Sequence, residues 1–154
     1  MDAEVYPDER VARFIQENFL PARVHVKDQA AEFRRLGERY NAQWTPTLLV
    51  LDPEGTERHR IEGFLPAEDV LAQLTLGLGH SAFARQQWDE AERRFREVVE
   101  RYPNTEAAPE ALYWAGVARY KGKGDAKALG ETAQEFSRRY KDTSWAKKAS
   151  VWAA

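Results

Sequence analysis

The stretch YNAQWTPTLLVLDPEG, residues 40–55, decides how the rest of the chain is read. Pro46 stands just ahead of four apolar residues, Leu48, Leu49, Val50 and Leu51, a run of strand length. A proline has no N–H to offer a sheet ladder, so it belongs at the start of a strand or on an edge. Asp52-Pro53-Glu54-Gly55 then supplies turn chemistry, with a glycine that tolerates positive φ. Residues 56–64 (TERHRIEGF) read as the second strand of a hairpin.

Ahead of this hairpin, residues 11–19 (VARFIQENF) place Val11, Phe14, Ile15 and Phe19 on one helical stripe, which Pro21 ends. Residues 22–27 (ARVHVK) alternate, with Val24 and Val26 on one face, and predict a short strand. Asp28 is placed to cap the next helix, whose buried face would hold Phe33, Leu36 and Tyr40. The expected order of the first half is α-β-α-β-β.

Behind the hairpin, Pro66-Ala67-Glu68-Asp69 opens a helix with proline in its first turn and acids near the positive dipole end. Leu71, Leu74, Leu78 and Phe83 continue it, and from there the pattern is helical throughout. The second half also repeats itself. Residues 101–116 (RYPNTEAAPEALYWAG) and 139–154 (RYKDTSWAKKASVWAA) match at Arg, Tyr, Thr, two Ala, Trp and Ala, with an offset of 38 residues. Helix pairs that cannot bury their apolar faces alone must stack on one another. Between the copies, Lys121-Gly122-Lys123-Gly124-Asp125 is an interhelical loop with an Asp cap.

Composition narrows the function classes. The 154 residues are 43% apolar and 12% aromatic, an ordinary globular balance. Lys and Arg number 23 against 25 Asp and Glu, so no basic excess points to nucleic acid. The longest apolar run, residues 48–51, is far below the roughly 18 residues of a membrane span. The acidic opening MDAEVYPDERV is unlike a secretory leader, and a cytoplasmic protein with no membrane or nucleic-acid partner is the default reading. The chain has no cysteine, which removes thiolate nucleophiles, disulfides and thiolate metal ligands from its own residues.

Residues 78–103 resemble a tetratricopeptide repeat. Leu78-Gly79, Ala91, Phe95, Val98 and Pro103 fall at that repeat's intervals, although Thr75 stands where an aromatic is usual. Gly79 and Ala91 are small where two helices come close, and Phe95 fills the groove between them. A second, longer unit would use Trp114, Ala115 and Gly116 with Leu129, Ala133 and Phe136, and the residues up to Trp152 an incomplete third.

The first half resembles the C-terminal portion of a thioredoxin-like domain, on Thr45-Pro46-Thr47, the DPEG hairpin, Gly63-Phe64 and the helix that follows. That resemblance implies a cis Thr45–Pro46 bond beside a substrate-binding edge. It also implies a Cys-x-x-Cys motif a few residues ahead of Met1, and a central strand leading into that motif. Two readings follow: a piece of a longer protein, which is favoured, or a relative without the redox pair. Without the central strand, residues 22–27 and the Pro46 strand would pair with each other or borrow a strand from another chain, so either association through the sheet or a marginally stable first half is expected.

Trp44, Thr45 and Pro46 are the candidate peptide-binding residues. The competing reading of Trp44, and the favoured one, is packing against the 11–19 helix or the junction helix, because an aromatic ahead of a strand is usually core. His25, His59 and His80 have no close metal-ligand spacing and read as surface or lightly packed residues rather than a zinc site. No serine lies in a nucleophile elbow, and Gly122-x-Gly124 lacks the phosphate-loop signature. Glu68-Asp69, Asp89-Glu90 and Asp52/Glu54 read as first-turn acids, caps and turn residues, and Glu92/Arg96 and Glu97/Arg101 as solvated helix pairs. Trp88, Trp114, Trp145 and Trp152 fill gaps between stacked helices.

The fold class is α/β then all-α: a truncated thioredoxin-like β/α unit, residues 1–76, followed by a tetratricopeptide-like helical array, residues 72–154, sharing the junction helix. No motif implies a cofactor, a metal or a catalytic residue in this chain. The leading function is a non-catalytic protein-interaction module for a protein or peptide partner. The alternative is part of a thiol-disulfide oxidoreductase whose cysteine pair lies upstream of Met1.

Overall fold

The computed structural model describes residues 1–153. Helix α1 (Glu9–Asn18) is capped by Asp8, whose Oδ1 accepts from the Arg10 backbone N–H at 2.9 Å. The apolar stripe of α1 turns inward, with Val11 buried and Phe14, Ile15 and Phe19 packed beside it.

Residues 22–27 form no strand. The alternation of Val24 and Val26 suits a sheet, but the hydrogen bonds of a strand come from a neighbour, and none lies alongside. Strand β1 (Thr47–Leu51) is paired by β2 (Glu57–Glu62) alone, in a two-stranded antiparallel sheet. The order of the first half is therefore α-α-β-β, and Val26 stays exposed. Asp28 does not cap the following helix, because it stands one residue too early. Helix α2 (Ala30–Tyr40) begins from Gln29 with no side-chain cap, and Asp28 faces His25 at 3.0 Å instead. No residue of α2 is buried; Phe33, Leu36 and Tyr40 are only half-covered.

The hairpin turn follows its chemistry. Asp52 Oδ1 accepts from the Glu54 and Thr56 N–H groups, Oδ2 pairs with Arg58 at 2.7 Å, and Gly55 takes φ +81°. Beyond the sheet come α3 (Ala67–Ala84), α4 (Trp88–Arg101), α5 (Ala107–Lys123), α6 (Lys127–Arg139), α7 (Ser144–Ala149) and a 3-10 turn (Ser150–Trp152). Pro66 is the residue before α3 rather than part of its first turn.

Two apolar cores result. One joins Val5, Val11, Val50, Ile61, Val70, Leu71 and Leu74. The other fills the array around Leu76, Ala91, Phe95, Val98, Leu112 and Phe136. Tyr102 packs against both. In the array core, a Cβ added to Gly79 would stand 2.5 Å from the Phe95 ring, so the absence of a side chain there is what admits the aromatic. Burial of Phe95 contributes about 1.5–3 kcal/mol. In the next helix pair Gly116 meets Thr132, a contact residue that spacing alone did not single out, while Leu129 is only half-buried. Glu97 pairs with Arg101 at 3.3 Å along α4. Arg96 instead reaches across to Glu135 of α6 at 2.8 Å, which ties the two helix pairs together.

Candidate functional site

Trp44, Thr45 and Pro46 lie together at one end of the hairpin. The Thr45–Pro46 peptide bond is cis. Thr47 Oγ1 donates to the Trp44 carbonyl at 2.7 Å, and the Gly63 N–H donates to the Pro46 carbonyl at 2.8 Å. Gly63 takes φ +86°, a conformation that a side chain would strain, and the chain turns there into Phe64. Trp44 is 69% exposed and Phe64 52% exposed, so two large apolar side chains stand in solvent at this end.

The packing reading of Trp44 is thus corrected. The α1 stripe packs in the cluster around Val5, Leu71 and Leu74, and Trp44 is not among the side chains packed against it. Phe64 is a residue of this end that the sequence reading did not assign. The signal was available, since a glycine followed by an aromatic at a strand end can project it outward.

The ladder identifies which backbone groups face out. The Gly63-to-Pro46 bond makes that pair a hydrogen-bonded one, and antiparallel pairs alternate. Leu48 and Val50 therefore bond to β2, while Thr47 and Leu49 turn their N–H and C=O groups the other way. Among the described residues, no backbone group pairs with that outer edge of β1. β2 carries Glu57, Arg58, Arg60 and Glu62, charges that discourage a further strand, whereas β1 carries none.

A second cluster lies where the sheet meets the array. His59 is on the inward face of β2, and its ring stacks on that of His80 of α3, with centroids 5.8 Å apart. His59 Nε2–H donates to Gln73 Oε1 at 2.6 Å, and His80 Nε2–H donates to Glu110 Oε1 at 3.1 Å. Burial pushes the His59 pKa down, opposed in part by the Gln73 hydrogen bond. The lightly packed reading of these two residues understated their contacts, since both are half-buried and His80 also lies edge-on to Phe95 and Trp114. Period two along β2 puts His59 on the face of Ile61. Its meeting with His80 depended on how the sheet sits on α3.

In the array, aromatic rings run from helix to helix: Trp88 against Phe83, Phe83 against Trp114, and Tyr113 against Trp145 and Trp152, with centroids 4.6–5.2 Å apart. Lys148 Nζ lies 3.8 Å from the Trp145 ring centroid.

A two-stranded β unit with its proline loop, docked on stacked helix pairs, is consistent with a truncated thioredoxin-like unit followed by helical repeats. Residues 1–77, half of the chain, match the family described as thioredoxin-like domain, and residues 73–105 match the tetratricopeptide repeat. The chain belongs to the thioredoxin-like family and carries a tetratricopeptide repeat. No curated protein and no solved structure matches it. Among the described residues, no helix is long and apolar enough to cross a membrane.

Proposed function

We propose that this chain is a non-catalytic protein–protein interaction module acting in the cytoplasm, with a thioredoxin-like unit (residues 1–76) and a tetratricopeptide-like array (72–154) that share α3. The observation that carries the reading is the exposed pair Trp44 and Phe64, which flanks the Pro46–Gly63 bond beside the open edge of β1. An extended peptide laid along that edge would bond to the backbone of Thr47 and Leu49 and rest its apolar side chains on Trp44 and Phe64. Thr45 and Pro46 shape the end of that track, and the array offers a second, helical contact surface. Panning a random peptide display library on the intact protein tests this. Enriched peptides should bind Trp44→Ala at least ~10-fold more weakly, as loss of a buried aromatic contact predicts. Equal binding to the variant, or no enrichment, refutes it.

Self-association belongs to the same reading, because a second copy of β1 is an uncharged strand able to pair with the first. Leu49→Pro removes an outward N–H without touching the β2 ladder. Light scattering should show dimers at high concentration for the parent chain and monomers for Leu49→Pro; a monomeric parent removes this part.

A second reading is supported by the family match: part of a thiol-disulfide oxidoreductase whose Cys-x-x-Cys lies upstream of Met1, with Thr45 and Pro46 positioning the substrate. The chain as it stands has no cysteine and should show no insulin reduction above background. An in-frame cysteine pair in the codons just upstream of Met1 supports the reading; a start with none removes it.

A further inference from the structure

Among the described residues, one side-chain hydrogen bond joins the hairpin to α3, His59 to Gln73, and it lies beside a second histidine. Gly77 of α3 lies against the sheet so closely that an added Cβ would stand 2.8 Å from Val50 and 3.1 Å from the His59 Cβ. His80 follows on the same helix face and stacks on His59, its ring 26° from coplanar. Each Nε2–H has an acceptor, Gln73 for His59 and Glu110 for His80. The stack thus bridges β2, α3 and α5.

We propose that this histidine stack is a pH-sensitive joint: the hairpin is seated on α3 while the His59 ring is neutral, and acid that charges His59 loosens the hairpin from the array. The groups that face the pair are few. His59 meets Gln73 and His80 from α3, Glu110 from α5, Glu57 from its own strand and apolar Val50 from β1. His80 meets Glu110 and Trp114 from α5 and Phe95 from α4. Glu110 and Glu57 attract a charge on His59, but burial and the facing imidazole oppose it, and burial is the larger effect. His59 has only an amide and a second imidazole in direct contact, so no carboxylate at hydrogen-bond distance offsets a charge on it. Because folding lowers the His59 pKa, its contribution to stability is complete above the unfolded value of ~6.5 and is lost as pH falls through the folded one. The array core contains no histidine other than His80 at its border, so the loss is local to the hairpin.

Amide hydrogen exchange on the intact chain at about pH 7.5 and about pH 5, corrected for intrinsic rates, decides the matter. Protection of β1 and β2 should fall at least ~10-fold more than that of α4 on acidification, a local opening of one hydrogen-bonded unit. The ring signal of His59 should titrate with the same midpoint. His59→Gln and His80→Gln should each flatten the difference, and His25→Gln, in the coil before α2, should leave it intact. Should either junction variant fail to fold, the parent's ring titration against β2 protection still decides. Equal loss in β2 and α4, a His59 titration separate from β2 opening, or an unchanged response in His80→Gln overturns the proposal.

Discussion

In the helical array, Gly79 meets Phe95 and Gly116 meets Thr132, each partner coming from the next helix along the chain. In the β unit, Thr47 and Leu49 turn backbone groups toward no strand, and α2 buries none of its residues. The array closes its core with neighbours in sequence, each helix packing on the next until one continuous core runs from α3 to α7. The β unit has a local hairpin, but its core depends on partners far away in sequence, Val5 and Val11 packing with Val70, Leu71 and Leu74. The contrast predicts where stability resides, and substitutions can break or sharpen it.

The largest effect is expected at the center of the array. Phe95→Ala leaves a cavity among Leu76, Ala91 and Leu112 and should cost about 3–5 kcal/mol in denaturant unfolding. If the hairpin opens in the same transition, the two regions share one cooperative unit through α3 and Tyr102; if it opens separately, the contrast is sharper still. Gly79→Ala comes next. The added methyl meets the Phe95 ring, and overpacking of this kind costs about 1–3 kcal/mol. The smallest effect belongs to α2, where Leu36→Ala removes a half-covered side chain and should change stability by less than about 1 kcal/mol. A loss as large as that of Phe95→Ala would mean that α2 is as firmly seated as the array.

The same contrast explains what could be read from residues alone. Gly79, Ala91 and Phe95 were legible because both sides of the contact lie within one helix hairpin, at fixed spacing. The DPEG turn was legible because Asp52 finds its acceptors' partners within four residues. The strand at 22–27 was misread because alternation shows what a segment could pair with, and pairing needs a neighbour that the pattern does not contain. Trp44 was misjudged for a related reason, since its neighbours in the fold come from other segments and its position ahead of a strand does not name them. Leu129 and Thr132 show a limit within helices too: both suit a buried face, and the crossing of α5 and α6 chose Thr132. His59 and His80 came together only because the sheet presses on α3 at Gly77.

Helix α3 has a consequence for how such a chain can change over time. It places Val70, Leu71 and Leu74 in one core and Ala72, Leu76 and Ala82 in the other, with Gly77 against the sheet and Gly79 against Phe95. Neither half can be exchanged as a cassette by recombination at this helix, because either product would lack one wall of a core. The two units can diverge in their outer elements, but on α3 every substitution is judged twice.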